Sequence, residues 1–353
     1  MNVNHTMSPV RKAVLGLLAP LIYTSSVMAT ENTVEITPDA GVTPYIVNGT
    51  NALVTDFPSI ASLFIDRSGY DGVYSTDPYC GATILNPTHI LTAAHCIYGD
   101  ENAQLFTTVV PQLENTSEFP NGNIQKVRVA EVYYRSDYSN SLSKLLPNDV
   151  AILKLETSLN IGANIIPPSS ELYRSSSSQF VAVGHGDTAT GQDTTNRLQK
   201  VDLTYVENNV CAGVFTDGVS LTQKQICFSG AQGASNLYGG TCQGDSGGPV
   251  YWWDGSAYQQ VGITSFGPTV CGGSSSVTSV FTEIYDYRDW ITDVANGVIS
   301  SSETVRISAT DAKRTAYVNA RTSSGSGGSG GSLSFGLLGT LMLLGGFRRV
   351  ISR

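Results

Sequence analysis

A single serine, Ser246, lies in a glycine-rich stretch, residues 240–249 (GTCQGDSGGP), that could carry out acyl-transfer chemistry. Gly247 and Gly248 have no Cβ, so the backbone can turn tightly here and a substrate can approach it closely. Such a turn can direct two backbone N–H groups at one point, as an oxyanion hole requires. The serine is therefore a candidate nucleophile.

The order of the candidate catalytic residues along the chain separates two kinds of hydrolase. The motif Gly244-x-Ser246-x-Gly248 also fits the nucleophile elbow of α/β-hydrolases, but that fold needs a histidine after the serine. All four histidines of this chain precede Ser246: His5, His89, His95 and His185. The opposite order, histidine, aspartate and then serine, is present, with His95 in residues 91–96 and Asp149 in residues 148–153. This is the order found in chymotrypsin-type enzymes.

Four segments resemble signature segments of the trypsin/chymotrypsin-like serine peptidases. Three contain the candidate triad: residues 92–96 (TAAHC), 148–151 (NDVA) and 244–249 (GDSGGP). The fourth, residues 46–49 (IVNG), resembles the mature N-terminus of that family. The similarity runs from about Ile46 to about Ala295.

The resemblance implies a secreted, zymogen-activated serine endopeptidase that acts on protein or peptide substrates without a cofactor or metal. Its fold would be all-β, with two antiparallel Greek-key β-barrels and a C-terminal helix. His95 would be the general base, Asp149 would orient its imidazole, and Ser246 would be the nucleophile. The backbone N–H groups of Gly244 and Ser246 would form the oxyanion hole.

Asp245 has a separate role in this resemblance. It would pair with the α-amino group of Ile46 that cleavage before Ile46 releases. A buried carboxylate is costly unless it is paired, so this ion pair can act as an activation switch. The family usually carries a basic residue just before the cut, whereas this chain has Tyr45. A tryptic activator therefore has nothing to recognise, and we expect activation by this enzyme itself or by a chymotrypsin-like relative.

The substrate pocket is expected to carry no charge. The resemblance places its floor at Gly240, where trypsin-like enzymes have an aspartate, and adds five further substrate-binding positions: Thr241, Ser265, Phe266, Gly267 and Ser279. An uncharged pocket binds the P1 side chain mainly through buried apolar area. We therefore expect apolar or aromatic P1 residues rather than arginine. The backbone of residues 265–267 should pair with the substrate as an added strand.

The composition is consistent with a β-rich extracellular protein. Hydrophobic residues make up 41% and charged residues 14% of the 353 residues, enough apolar material for a sizeable core. Short alternating runs between turn residues predict strands, for example at residues 59–64, 127–132 and 179–183. Spaced apolar residues over 285–294 predict the closing helix. The net charge of −9 argues against nucleic acid as a partner.

Six cysteines in an exported chain suggest three disulfides, although their number leaves the pairing open. The resemblance selects Cys80–Cys96, Cys211–Cys227 and Cys242–Cys271. The alternative, a zinc site, lacks the Cys-x-x-Cys spacing.

The N-terminal region predicts export. Residues 1–29 resemble a signal peptide, because Arg11 and Lys12 precede an apolar run and small residues at 27–29 offer a cleavage site. A transmembrane anchor is the alternative, but the apolar run is short and contains Pro20. Residues 30–45 then predict a propeptide, and residues 46–299 the peptidase domain.

The C-terminal region departs from the peptidase pattern. Residues 300–324 are polar without a clear period and predict a linker. Residues 325–353 combine glycine-rich sequence, a hydrophobic segment at 333–347 and terminal arginines, and resemble a bacterial GlyGly-CTERM sorting tail. This implies a sorting protease, transient inner-membrane contact, and a final location outside or on the surface of a Gram-negative bacterium. A plain membrane anchor or a disordered end is the alternative.

Two other functions remain open for this sequence. One is a non-catalytic homologue that binds proteins through the same cleft, which labelling of Ser246 by a fluorophosphonate would exclude. The other is a surface adhesion or anchoring protein whose main function lies in the tail, which an activity assay without the tail would test. His185, between two glycines where the family usually has tryptophan, is expected to serve packing.

Overall fold

The computed structural model describes residues 46–161, 164–175, 177–192 and 196–323. The expected signal peptide (1–29), propeptide (30–45) and sorting tail (325–353) lie outside these residues. Within the described ranges, no helix combines the length and the apolar character needed to cross a membrane.

The first half of the described chain forms a closed antiparallel barrel. After the short strand β1 (Thr50–Asn51), which pairs elsewhere, the strands are β2 (Ile60–Arg67), β3 (Val73–Tyr74), β4 (Cys80–Asn86), β5 (His89–Thr92), β6 (Thr107–Pro111), β7 (Val127–Arg135) and β8 (Ala151–Leu155). Six of them run in the order β7-β6-β2-β4-β5-β8 and close through pairing of β7 with β8. Strand β3 pairs with β2 at the edge.

The second half forms a second closed antiparallel barrel. Its strands are β9 (Phe180–Gly184), β10 (Gln199–Val206), β11 (Gln225–Gly230), β12 (Pro249–Trp253), β13 (Tyr258–Phe266) and β14 (Ser279–Glu283). They run in the order β10-β11-β14-β13-β12-β9 and close through β9 and β10, while β1 adds to the outer edge of β10. The predicted all-β fold with two antiparallel barrels is therefore confirmed.

Strand β10 shows why such segments form barrel strands. Its burial alternates along the chain, with Val201, Leu203 and Tyr205 buried in the second core and Asp202 exposed. Successive side chains of a strand point to opposite faces, so this alternation places one apolar face inside the barrel.

The described residues up to 299 form three α-helices: α1 (Glu101–Phe106), α2 (Asn208–Ala212) and α3 (Arg288–Ala295). Helix α3 confirms the predicted closing helix. It follows the second barrel in the chain, yet Trp290, Ile291 and Val294 belong to the hydrophobic core of the first barrel. Their spacing gives the helix one apolar stripe, and this stripe connects the C-terminal region to the first barrel.

The prediction of a linker over residues 300–324 was wrong for the part that the structure describes. Strand β15 (Thr304–Ser308) pairs antiparallel with β7, and helix α4 (Asp311–Ser323) follows it. We call residues 300–323 the C-terminal strap. The strap is held on the first barrel by the pairing of β15 with β7 and by ion pairs of Arg306 and Arg314. Ala309 and Val318 also pack in a small hydrophobic cluster with α1. The folded domain therefore extends past the predicted boundary at residue 299.

Candidate active site

Strand pairing brings the candidate base and its orienting carboxylate together. His95 lies in a 3₁₀ helix directly after β5, and Asp149 lies directly before β8. Strands β5 and β8 are antiparallel partners, with Thr92 opposite Ala151. The end of one strand therefore meets the start of the other, and both side chains emerge at the same place.

Asp149 holds His95 through two contacts. The Asp149 side chain is fully buried, and its Oδ2 lies 2.8 Å from His95 Nδ1. Its Oδ1 accepts a hydrogen bond from the His95 backbone N–H, also at 2.8 Å. Burial by itself lowers the pKa of His95, but the charge and hydrogen bond of Asp149 outweigh it and raise that pKa above its ordinary value. The imidazole is thereby prepared to accept a proton.

The second barrel also contacts this aspartate. Ser265 Oγ donates to Asp149 Oδ2 at 2.5 Å, and the Thr282 hydroxyl donates to the Asp149 backbone carbonyl at 2.9 Å. Ser265 was expected from the sequence only to bind substrate, and its contact with Asp149 was not predicted. Hydrogen bonds to the charged form of a carboxylate stabilise that form, so the site draws on both barrels.

The turn that carries Ser246 is docked on the first barrel. The Ser246 carbonyl accepts from the Gly81 backbone N–H of β4 at 2.7 Å. Gly247 has a φ of 76°, and a Cβ there would lie 2.2 Å from Thr92 Oγ1, so only glycine fits. Gly244 also has a positive φ, 95°. Tight docking and these conformations explain the glycines of the motif.

Ser246 and His95, the candidate nucleophile and the candidate base, are not hydrogen-bonded to each other. Throughout the described ranges, no hydrogen bond joins the His95 ring to the Ser246 hydroxyl. The structure thus brings His95 and Asp149 into direct contact and places Ser246 on the adjoining turn.

Asp245 is fully enclosed beside the candidate nucleophile. Its two carboxylate oxygens accept from the backbone N–H groups of Gly186 at 2.8 Å and Cys242 at 2.9 Å. Burial raises the pKa of Asp245 to about 7, although these two hydrogen bonds lower it. A Cβ at Gly184 or Gly186 would lie within 2.5 Å of this carboxylate, which requires glycine at both positions.

The segment expected to become the mature N-terminus is also buried. Ile46 belongs to the core of the second barrel, and Val47 packs against the Cys242–Cys271 disulfide. The Val47 carbonyl accepts from the Gly240 backbone N–H at 3.2 Å. Ile46–Val47 and the Ser246 turn are therefore linked through Gly240 and this disulfide.

A cavity of about 210 Å³ adjoins Ser246. Uncharged residues line it, including Thr241, Ser265, Phe266, Gly267 and Thr278. Four of these were expected from the sequence, whereas Thr278 was missed. Gly240 and Ser279, which were also expected to bind substrate, are not among the residues that line the cavity. A Cβ at Gly240 would lie 2.6 Å from Thr278 Cβ, so the Thr278 side chain occupies the space beside the expected pocket floor.

The three disulfides join the pairs that the resemblance implied: Cys80–Cys96, Cys211–Cys227 and Cys242–Cys271. The first ties β4 to the segment that carries His95. The third forms part of the cavity wall beside Ser246. Because all six cysteines are paired, no cysteine thiolate is available to bind zinc.

The other candidate histidines are held by local contacts. His89 Nδ1 lies within hydrogen-bond distance of Thr88 and Asn86 in the β4–β5 turn. The His185 ring is buried, with Nδ1 3.4 Å from Ser62 Oγ. Burial lowers the pKa of His185 to about 4, so its ring is neutral at physiological pH.

Comparisons with known proteins agree with this geometry. The family model described as Trypsin matches residues 46–291. Trypsin-1 of Astacus astacus is 29% identical over 252 residues, which cover 70% of this chain and 98% of that protein. A chymotrypsin-like serine proteinase of Haliotis rufescens is 28% identical over 264 residues, covering 73% of this chain and 95% of its own length.

A solved structure shares the same architecture. Neuropsin, a serine protease expressed in the limbic system of mouse brain, aligns with a TM-score of 0.57 at 25% identity. The alignment covers 71% of this chain and all of the neuropsin chain. Family model, relatives and fold lead to one conclusion: the chain belongs to the trypsin family of serine endopeptidases.

Proposed function

We propose that the chain hydrolyses peptide bonds through a triad of Ser246, His95 and Asp149. His95 removes the Ser246 proton as the hydroxyl attacks the scissile carbonyl, and Asp149 stabilises the imidazolium that forms. The backbone N–H groups of Gly244 and Ser246 bind the oxyanion of the tetrahedral intermediate. Collapse of that intermediate leaves an acyl-enzyme on Ser246, which water then hydrolyses.

The observation that carries this proposal is the double contact of Asp149 with the His95 ring and backbone. It leaves Nε2 as the ring nitrogen available to a serine, because Nδ1 is engaged by the carboxylate.

The test compares the activated wild type with Ser246→Ala for peptide hydrolysis and fluorophosphonate labelling. We expect a loss of about 10⁶ in kcat and no labelling in the variant. Hydrolysis at the wild-type rate by Ser246→Ala would refute the mechanism.

The pocket supports a preference for uncharged P1 residues. No charged side chain is among the residues that line the cavity beside Ser246. A lysine or arginine buried there would lose its hydration without gaining a carboxylate partner, which is costly. Apolar and aromatic side chains gain binding free energy from the burial itself.

Activation by cleavage between Tyr45 and Ile46 is part of the same proposal. The fully buried Asp245 carboxylate accepts two backbone N–H groups. A free Ile46 α-amino group would supply the positive charge that a buried carboxylate needs. Pairing would then hold residues 244–246 in the conformation that binds the oxyanion.

Export and C-terminal sorting complete the proposal. Three disulfides are typical of proteins in oxidising compartments, which supports removal of residues 1–29 as a signal peptide. The glycine-rich, apolar and arginine-containing order of residues 325–353 supports a GlyGly-CTERM tail cut by a sorting protease. The mature enzyme would then be secreted or held at the surface of a Gram-negative bacterium.

A further inference from the structure

The C-terminal strap contains a buried arginine that contacts three parts of the first barrel. Arg314 in α4 is only 1% exposed. Its Nε donates to the Leu105 carbonyl at 2.7 Å and its Nη2 to the Val129 carbonyl at 2.8 Å. Its Nη1 donates to the carboxylates of Glu156 at 2.6 Å and Asp311 at 2.9 Å. A buried guanidinium is tolerated only when its N–H groups are partnered in this way.

The first contact reaches the segment that carries His95. Leu105 lies near the end of α1, which begins five residues after Cys96. Gln104 of the same helix donates to the Ile97 carbonyl at 3.1 Å. Ile97 follows the 3₁₀ helix of His95 directly. Arg314 therefore holds the far end of a short connection that begins at His95.

The other contacts reach the segment that carries Asp149. Val129 lies in β7, and Glu156 directly follows β8. Strand β15 continues this connection, because Val305 pairs with Tyr134 of β7 and Tyr134 pairs with Ala151 of β8. Ala151 is two residues after Asp149.

We propose that Arg314, from its place in the C-terminal strap, is a positioning residue for catalysis. Arg314 fixes α1, β7 and the end of β8 relative to one another, and thereby fixes His95 against Asp149. This inference rests on the proposed function, because it concerns the same base. It also explains why a segment beyond residue 291, where the family match ends, is folded against the first barrel.

A positioning role of Arg314 can be distinguished from a general effect on stability, because the catalytic pair and the substrate cavity lie in different barrels. His95 and Asp149 belong to the first barrel, which the strap contacts. The lining of the substrate cavity comes from residues 241–278, in the second barrel. Loss of the Arg314 contacts should therefore lower kcat and leave KM nearly unchanged.

The experiment compares three variants of the activated enzyme that retains its strap. Arg314→Gln removes the buried charge, and Arg314→Lys keeps the charge but cannot reach all four acceptors. Arg306→Gln is the matched control, since Arg306 lies in the same strap, pairs with Glu131 and is 53% exposed. The readouts are kcat and KM on a peptide with an apolar P1 residue, fluorophosphonate labelling rate and Tm.

Arg314→Gln should lower kcat about tenfold, because small displacements of catalytic groups have effects of this size. Its KM should change less than about twofold, and its Tm should fall by about 5 °C as buried carbonyls lose their donors. Arg314→Lys should recover part of both losses, with kcat still about threefold below wild type. Arg306→Gln should match the wild type in every readout.

Several outcomes would overturn the proposal. An unchanged kcat with a lowered Tm would show that Arg314 only stabilises the fold. A raised KM with an unchanged kcat would place its effect in the second barrel, which forms the substrate cavity. If Arg314→Gln does not fold, the kcat of Arg314→Lys tests the proposal. A wild-type kcat in Arg314→Lys would reject the positioning role. A wild type that neither hydrolyses peptides nor reacts with the fluorophosphonate would instead refute the proposed function.

Discussion

The Ser279 hydroxyl accepts two hydrogen bonds from Thr241, one from its backbone N–H and one from its hydroxyl, each 2.9 Å long. Thr241 lines the cavity beside Ser246, and the Thr278 side chain fills the space next to Gly240. The cavity floor is thus neutral and closed by hydroxyl groups.

This arrangement predicts how P1 specificity can be changed. Gly240→Asp alone should not permit cleavage after arginine, because its Cβ would collide with Thr278. Gly240→Asp combined with Thr278→Gly should raise kcat/KM for an arginine P1 at least about tenfold over either single variant, because a buried charge partner then becomes available. A P1 peptide library measures both. A wild-type profile dominated by arginine would contradict the neutral pocket.

Asp245→Asn should inactivate the processed enzyme. The amide cannot form an ion pair with the Ile46 α-amino group, so residues 244–246 lose the contact that orders the oxyanion hole. We expect kcat/KM to fall by about 10²–10³, the effect of losing one oxyanion donor. Asp202→Asn, an exposed change on β10, is the control and should retain activity. Full activity of processed Asp245→Asn would show that the ion pair is not required.

Activation should be possible in trans by the enzyme itself. The proenzyme carrying Ser246→Ala is incubated alone and then with a trace of active wild type, and N-terminal sequencing follows the products. We expect no processing alone and an Ile46 N-terminus after wild type is added, because a neutral pocket accepts Tyr45. If added enzyme never processes the proenzyme, another protease is the activator.

His185 should reduce stability at acidic pH. Its folded pKa of about 4 lies below its ordinary value of 6.5 because burial disfavours the charged ring. As pH falls from 6.5 to 4 the unfolded chain binds a proton that the folded chain does not, so stability is lost across this window. Urea unfolding is measured in a Ser246→Ala background. Between pH 7 and pH 4, the free energy of unfolding of His185→Gln should rise by about 3 kcal/mol relative to that of the parent.

Asp245 has the opposite effect on the pH dependence of stability. It is present both in the parent and in His185→Gln, so it does not contribute to the difference between them. Burial raises its folded pKa to about 7, so the folded proenzyme binds its proton more tightly than the unfolded chain does. Its stabilising contribution is present at low pH and is lost as pH rises from about 4 to 7. Parallel pH curves for the two proteins would refute the assignment to His185.

The tail should be removed during export, and the strap should remain. Mass spectrometry of protein from the medium or cell surface should find a new C-terminus at or after residue 323, because Arg314 and β15 are built into the first barrel. An intact Arg353 on the exported protein would contradict sorting. A C-terminus before residue 304 would contradict retention of the strap.

The sequence by itself indicated a β-rich fold and the candidate triad. Both depend on local signals: short alternating runs for the barrel strands, and compact motifs around His95, Asp149 and Ser246. The resemblance to the peptidase family then implied the two barrels and the disulfide pairs. The glycines next to Ser246 are also a local signal, because they allow the positive φ values that the turn requires. A resemblance spread over several such motifs also carries their arrangement in space.

Only the tertiary structure decided which distant residues support the site. The contact of Ser265 with Asp149 and the place of Thr278 next to Gly240 arise where separate strands meet. The strap was misread as a linker because β15 is short and α4 has a weak apolar period. Arg314 contacts groups 158 to 209 residues earlier in the chain. A polar side chain gives no local sign of burial, because its free energy depends on partners that only folding brings together.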